Sequence, residues 1–527
     1  MTDAPRVPPQ PTPSPVPALG RSVMHGSFWM LINTVATRFL SLANSIVLGR
    51  LLGNNAWGTY AIAIAASSVA AAFRDGGMRQ LLLQRQREYE TLVGPVFWIA
   101  LLCNSACALL LALTAPLIAS YSQNPETATL VWVIATSLPI STPGIILQAK
   151  LSIDMRFKAI SNIQTVSGTI RFGGAILLAV LGFGAVSFVL PLLGCAVAEW
   201  AMGWWLCRDH LWNRAPRTNL WLTLFKSSWW LMAGALGTSL LYLGGNLVMK
   251  AFVPLGVVGA YFFAYSIIGQ VWIIVSANLN AVFLSAMAKI AGEPARLAAA
   301  APRALRQTML LAGPMAAGLA VTFPALETLF WDGHKADSVN AVLVQGIFYP
   351  VTILIIVPLS VQQSRGRFRS WAIGLLGTSI CGLIAAAIGA HLHGTPEGVA
   401  GWSSGVGALV ALAYSIVVLR RIGVSARTTL AAGLPGWLVS TACGLLAWWI
   451  DSRLAGQHIA PALVPAAWQP QAAAVIRFLV VGCVYSAAFA LAVRFLLPSH
   501  LRETLAALPV RLRALIERML RIRSAKA

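Results

Sequence analysis

Charged side chains are scarce in this chain of 527 residues, and acidic ones are the scarcest: Asp and Glu number 16, against 38 Lys and Arg. Only 10% of the residues are charged and 58% are hydrophobic, which excludes an ordinary soluble domain. The seven cysteines show no C-x-x-C spacing and lie within or beside apolar runs. We therefore expect no disulfide framework and no metal site.

Motifs for catalysis are lacking as well. The sequence contains no Walker motif, no pair of catalytic carboxylates and no Ser/His/Asp grouping of usable spacing, so we expect no direct use of ATP and no enzyme activity. The net charge of +22 does not indicate nucleic-acid binding, because the cations lie in short loops without interleaved aromatic residues.

The long apolar runs predict an all-α polytopic membrane protein. We count fourteen stretches, each about 20 residues long, the length that crosses the hydrocarbon core of a bilayer as a helix. The predicted spans are 24–48, 57–74, 93–115, 128–148, 160–182, 185–207, 228–249, 254–280, 307–330, 339–361, 370–391, 398–419, 430–450 and 472–497. The connections between them are too short to hold a soluble domain.

The basic residues fall almost entirely on one side of these spans. Alternate connections, the inner ends of the spans beside them and the two tails carry 31 Lys and Arg, the opposite side carries four, and three (Arg38, Arg171 and Arg477) lie deeper inside spans. The positive-inside rule then predicts a bacterial inner-membrane protein with both termini in the cytoplasm. We call the arginine-rich side the inner side and the arginine-poor side the outer side.

A short pattern occurs twice, six spans apart. Gly58-Thr-Tyr-Ala-Ile-Ala63 and Gly259-Ala-Tyr-Phe-Phe-Ala264 share G-x-Y-x-x-A and follow an outer connection in the same direction. The repeat predicts two pseudo-symmetric six-helix lobes plus two extra helices, with a binding cleft between the lobes. The predicted segments are a disordered Pro-rich cytoplasmic tail 1–22, an N-terminal lobe 23–225, a C-terminal lobe 226–428, spans 13 and 14 at 429–497, and a basic amphipathic helix 498–527. We expect this last helix to lie on anionic lipid of the inner leaflet.

Charges within spans are costly and therefore indicate function. Arg38 in span 1 and Arg171 in span 5 each share a helix face with hydroxyl or amide side chains. Two guanidinium groups in a wet cavity suit a phosphate or pyrophosphate, which they bind in bidentate fashion. The alternative is that either arginine pairs with Glu199 in span 6 and only pins helices together, or that Glu199 takes part in coupling.

Polar stripes in the second lobe are ambiguous. Asn246 in span 7 and Gln270 in span 8 are candidate ligands for sugar hydroxyls, but such residues also join membrane helices. Arg477 is expected to snorkel to the outer surface and Glu327 to be a solvated charge at a helix end.

The opening of the chain resembles that of the polysaccharide-transport (Wzx-type) flippases of the multidrug/oligosaccharidyl-lipid/polysaccharide exporter superfamily. The resemblance rests on Leu48–Gly53, Trp57–Tyr60, Arg74–Met78 and Leu81–Gln84, with Met155-Arg-Phe-Lys158 before span 5. These stretches follow the family pattern "ARLLGPxxFGxYA" and "DLGLxxALIQ". The chain departs from it at Asn54-Asn-Ala, where the family often has Pro and an acidic residue.

The resemblance implies export of a polyprenyl-pyrophosphate-linked oligosaccharide by alternating access, for exopolysaccharide, capsule or O-antigen synthesis. It further implies a cationic cavity, with glycosyltransferases and a polymerase of the same pathway as partners. No cofactor is expected beyond a coupling ion, H⁺ or Na⁺. The alternatives are a lipid II flippase, a drug/cation antiporter of the multidrug and toxin extrusion branch, and a non-transporting scaffold of a polysaccharide synthesis complex.

Overall fold

The chain is all-α over the residues that the structure describes. This computed structural model describes residues 37, 39–74, 82–83, 85–454 and 469–498, which form helices and connections and contain no strand. Three predicted features therefore lie outside the described residues: Arg38, the tail 1–22, and all but the first residue of the helix 498–527.

Twelve helices in the described part are long and apolar enough to cross a membrane. Two further helices, the short apolar α1 and the 21-residue α2, lie where the first two spans are predicted, so the number of helices is roughly consistent with the fourteen predicted from hydropathy. Their bounds are α1 Phe39–Leu51, α2 Asn54–Arg74, α3 Tyr89–Ser122, α4 Glu126–Ile153, α5 Phe157–Val180, α6 Leu190–Cys207, α7 Trp221–Ser239 continued by a π-helical turn Leu240–Gly244 and by Gly245–Met249, α8 Leu255–Lys289, α9 Pro294–Trp331, α10 Ala336–Ser364, α11 Phe368–His393, α12 Pro396–Arg420, α13 Ala426–Leu454 and α14 Gln469–Leu496.

Helices α8 and α9 are longer than their predicted spans, with 35 and 38 residues. Both extend on the inner side, where α9 begins at Pro294, a residue suited to the first turn because its missing N–H has no partner there anyway. Hydropathy detects only the part of a helix that lies in hydrocarbon, so the polar turns beyond it were assigned to a loop.

The helices form two lobes with two extra helices on the second. In the first lobe α4 packs against both α3 and α6, and α5 packs against α6. In the second lobe α12 packs against both α10 and α11, and α7 packs against α11. The extra helices α13 and α14 pack on α9, and the most extensive contact between the lobes joins α2 to α8.

A buried ion pair joins α13 to α14. Arg477 donates two hydrogen bonds to Asp451, 2.9 Å from Nε to Oδ1 and 2.8 Å from Nη2 to Oδ2. The exposed fractions of the two side chains are 17% and 6%. The expectation that Arg477 snorkels to the surface was therefore wrong: a planar guanidinium group meets a carboxylate on the neighbouring helix, which satisfies both charges within the protein.

The inner ends of the first lobe are joined by a second charge cluster. Asp209, in the connection after α6, accepts hydrogen bonds from Lys150 of α4 at 2.9 Å and from Arg214 at 3.1 Å. Arg214 also donates to Glu90 at the start of α3, at 2.7 Å. Burial disfavours the charged form of Asp209, but the bonds from Lys150 and Arg214 outweigh it and hold the pKa of this carboxyl below its ordinary value. The cluster therefore fixes three helix ends to one another.

Candidate functional site

A polar cavity lies inside the first lobe, enclosed by α2, α4, α5 and α6. Its volume is about 370 Å³, and Arg171 and Glu199 both contribute to its wall. The remaining polar lining consists of hydroxyl groups, from Ser67, Ser68, Ser137, Ser141 and Ser167. The sequence therefore brings one cation, one anion and several neutral donors to the same space.

The two charged groups of this cavity have different surroundings. Glu199 accepts a hydrogen bond from Ser167 at 2.7 Å and lies 3.5 Å from the amide nitrogen of Gln148. Arg171 is exposed, and within the described part of the chain it forms no ion pair. A guanidinium group offers five N–H donors in one plane, so Arg171 can take a doubly coordinated oxyanion without first breaking a salt bridge.

Helix α1 comes close to this cavity. The side chain of Thr37 lies 3.7 Å from the position that a Cβ on Gly168 would occupy, and Gly168 is about one turn before Arg171 on α5. Arg38 itself lies outside the described residues, so its predicted place in a cleft between the lobes stays a prediction.

A smaller cavity of about 70 Å³ lies inside the second lobe. Four tyrosines contribute polar groups to it (Tyr242, Tyr261, Tyr265 and Tyr349), and Asn246 lines it from α7. Asn246 is 1% exposed, its Nδ2 donates to the carbonyl of Leu243 in the π-helical turn, and its Oδ1 is buried without a partner among the described residues. The space is large enough for a few water molecules and contains no ionised side chain.

The structure separates the two amides that were predicted to bind sugar. Asn246 lines the second-lobe cavity, whereas Gln270 does not, and its Nε2 donates to the backbone carbonyl of Ser266, 3.3 Å away. Tyr242 shares the polar stripe of Asn246 on span 7 and was predicted with it, whereas Tyr261, Tyr265 and Tyr349 were missed by the sequence analysis. These three lie on α8 and α10, so no local pattern groups them with Asn246.

The lobes meet at their outer ends through the two copies of the repeated pattern. Gly58 of α2 and Gly259 of α8 lie where these helices cross, and a Cβ on Gly259 would be 2.7 Å from the backbone nitrogen of Gly58. Only residues without a side chain permit helix backbones to approach so closely. The repeat found in the sequence therefore marks the contact surface between the lobes.

Aromatic rings fill the space beside this crossing. Trp57 of α2 packs edge-on against Phe263 of α8 and against Phe188 of the first lobe, each at a centroid distance of 4.9 Å. Tyr60 stacks on Phe188 at 4.4 Å. Together with Gly58 and Gly259, these rings close the outer side of the interface between the lobes, and we call this set of residues the outer seal. Outside it lies an open vestibule of about 680 Å³.

Glu327 lies behind the outer seal, near the end of α9. It is 4% exposed, and one of its carboxylate oxygens accepts a hydrogen bond from the backbone nitrogen of Lys335, 2.9 Å away. The expectation of a solvated end charge was therefore wrong. The connection between α9 and α10 folds back over this carboxylate, which satisfies a backbone donor that would otherwise be buried without a partner.

Comparison with known proteins agrees with this architecture. Residues 47–332, more than half of the chain, match the family described as "Polysaccharide biosynthesis protein". The chain is 25% identical to the succinoglycan biosynthesis transport protein ExoT of Rhizobium meliloti (strain 1021) over 76% of this chain and 81% of that protein. It is 22% identical to the lipopolysaccharide biosynthesis protein WzxC of Escherichia coli (strain K12) over 62% of this chain and 66% of that protein.

Among solved structures, the lipid II flippase MurJ in an inward closed conformation has the same fold. The TM-score is 0.65 at 14% sequence identity, and the match covers 88% of this chain and 98% of that chain. At this identity the likeness concerns the arrangement of helices alone.

Proposed function

This chain belongs to the polysaccharide biosynthesis protein family, and we propose that it moves a polyprenyl-pyrophosphate-linked oligosaccharide from the inner to the outer leaflet of the bacterial inner membrane. The observation that carries the proposal is the match to a succinoglycan transport protein over 76% of this chain. The chain that matches this transport protein folds into two lobes, which contact each other on the outer side. Such a fold transports by alternating access: the lobes open to one side of the membrane at a time.

The substrate has a charged pyrophosphate end and a neutral sugar end. The first lobe contributes a cation and hydroxyl groups, and the second lobe contributes neutral polar side chains. The pyrophosphate requires donors in a fixed geometry, for which Arg171 and its neighbouring serine hydroxyls are suited, with Arg38 as the second cation. The sugar hydroxyls require neutral donors and acceptors, for which Asn246 is the second-lobe candidate and Gln270 the further one predicted. Glu199 either sets the position of Ser167 or takes part in coupling to H⁺ or Na⁺.

The pathway provides the partners. The chain receives its substrate from glycosyltransferases on the cytoplasmic side and delivers it to a polymerase outside, with its basic C-terminal segment on anionic lipid. It works as a transporter, so no bond of the substrate is made or broken.

The test replaces Arg171 and Arg38, each by Ala and by Lys, in cells that depend on this chain for surface polymer. Arg171→Ala is expected to lower surface polymer about tenfold or more while lipid-linked oligosaccharide accumulates on the inner leaflet, because a charge-assisted bidentate contact is lost. Arg171→Lys is expected to be intermediate, since it keeps the charge but not the planar donor pair.

The matched control is Arg296→Ala, which removes an exposed arginine at the inner end of α9. Polymer yields are normalised to the amount of protein in the membrane. If both alanine variants export as well as the control, anion capture by these arginines is refuted, and a scaffold that does not transport becomes the better explanation.

A further inference from the structure

A single lysine of the second lobe is inserted into the outer end of the first. Lys335, in the connection between α9 and α10, is completely buried. Its ammonium group donates to the carbonyl oxygen of Leu52, just after α1, at 3.0 Å and to Oδ1 of Asn54, the first residue of α2, at 2.9 Å. The side chain therefore holds the α1–α2 turn against the opposite lobe.

Aromatic rings of the outer seal surround the same ammonium group. Its nitrogen lies 5.8 Å from the ring centre of Trp57 in the first lobe and 5.3 Å from that of Phe263 in the second. Ring faces attract a cation, and they do so more strongly where water is excluded. Lys335 thus contacts both lobes at the point where α2 and α8 meet.

The acceptors of this lysine are neutral. In the described residues no carboxylate lies within ion-pair distance of Lys335: Glu327 accepts from its backbone nitrogen, and Asp337 accepts from Nδ2 of Asn54 at 3.0 Å. Burying an ammonium group without a counter-ion is costly, and its hydrogen bonds offset only part of that cost. Burial accordingly lowers the pKa of Lys335 to about 8, although Asp337 and Glu327 act in the opposite direction.

Water and carboxylates are available to this lysine just outside the seal. The vestibule is lined by Asn54, Asp337 and Glu397, and two of these residues belong to the second lobe. An ammonium group that leaves the seal would therefore regain hydration and approach opposite charge. Several contacts with neutral groups hold Lys335 in the closed position, and the hydrated vestibule offers its ammonium group a second favourable position. A closure that must be reversible needs two such positions.

We propose that Lys335 is the latch of the outer gate, which holds the α1–α2 turn closed while substrate is loaded from the inner side and withdraws into the vestibule when the lobes part. The role of this latch in export rests on the function proposed above, whereas the closure of the gate by Lys335 rests on the contacts described here alone.

The experiment measures access to the gate from the outer side in right-side-out membrane vesicles. A cysteine is placed at Ala260 of α8, which lines the floor of the vestibule and is 1% exposed, and its reaction with a membrane-impermeant maleimide is timed. A cysteine at the exposed rim residue Ala336 serves as the control for labelling and folding, and the parent protein accounts for the native cysteines.

Two variants move the gate in opposite directions. Lys335→Ala removes the contacts of the latch and is expected to speed labelling at position 260 at least about threefold. The double variant N54D/D337N places a carboxylate on the ammonium group at unchanged net charge, and it is expected to slow labelling about tenfold because an ion pair replaces a bond from the ammonium group to a neutral oxygen. Labelling of the rim cysteine should not change in either.

Equal labelling in Lys335→Ala and the parent, or faster labelling in N54D/D337N, overturns the latch. Because the readout is accessibility, it separates the two proposals. Labelling that shifts as expected, with normal polymer export in both Arg171→Ala and Arg38→Ala, would keep the latch and refute anion capture by these arginines. The reverse combination would keep the mechanism and refute the latch.

Discussion

Replacing Gly259 by alanine tests whether the close crossing of α2 and α8 forms the outer seal. A methyl group at this position would meet the carbonyl group of Asn54 and lie 2.7 Å from the backbone nitrogen of Gly58. Both neighbours are backbone atoms, so no side chain can rotate away to make room. The helices must separate instead, by more than the 0.7 Å between 2.7 Å and an ordinary contact of 3.4 Å, because the carbonyl oxygen of Asn54 is closer than the nitrogen of Gly58.

The size of the effect follows from overpacking, which costs about 1–3 kcal/mol in well-packed interiors. We therefore expect Gly259→Ala to destabilise the outer-closed state, relative to the state in which the lobes have parted, by about 1–3 kcal/mol, a shift of roughly 5- to 150-fold in its population. The preference of about 1 kcal/mol for alanine over glycine within a helix applies to both states, so it offsets part of the cost only in the melting temperature.

Gly269→Ala is the matched control, because it changes the same residue type on the same helix at a position with no atom within 4 Å. The assay combines labelling of a cysteine at Ala260 with the melting temperature of the purified protein in detergent. We expect faster labelling and a lower melting temperature for Gly259→Ala only, while Gly269→Ala should match or exceed the parent. Identical behaviour of the two variants would refute the idea that this crossing seals the outer side.

Two further predictions concern the buried charges. Asp451→Ala should destabilise the protein by about 3–5 kcal/mol, because it leaves Arg477 buried without a partner, and the second substitution Arg477→Leu should restore most of the loss in a melting experiment. Asp209 has a pKa below its ordinary value, so its contribution to stability is present above about pH 4 and is lost as the pH falls through the lowered pKa. Melting temperatures measured from pH 7 down to pH 3 should therefore fall more steeply for the parent than for Asp209→Asn, and parallel curves would contradict this assignment.

The sequence predicted the helices well because their length and apolar character are local properties. Twelve of the fourteen predicted spans correspond to described helices long and apolar enough to cross a membrane, and the resemblance to polysaccharide-transport proteins that rested on Leu48–Gly53 and Trp57–Tyr60 was confirmed. The repeat identified Gly58 and Gly259 as equivalent, and the structure gave the reason for both glycines: they lie against each other.

The sequence failed where a charge finds its partner through tertiary structure. Arg477 and Glu327 were both expected at the surface, since their positions near span ends allow it. Their actual partners are Asp451, 26 residues away on a neighbouring helix, and the backbone of Lys335. Hydropathy places a charge along the membrane normal but says nothing about which face of the helix it occupies.

The buried charges have two kinds of partner. Where helices stay together the partner is an opposite charge, and where the lobes must part the partners are neutral groups. Arg477 with Asp451 joins two helices through full opposite charges, and Asp209 joins helix ends through two cations. Parting Arg477 from Asp451 would leave two largely buried charges without partners, at a cost of several kcal/mol, and parting the cations from Asp209 would leave a buried carboxylate unpaired. Lys335 alone of these meets a carbonyl and an amide, so its departure strands no opposite charge. Ion pairs therefore hold helices together within the lobes, whereas the contact of Lys335 between the lobes is with neutral groups. Because this contact between the lobes breaks first, the lobes can move as rigid bodies.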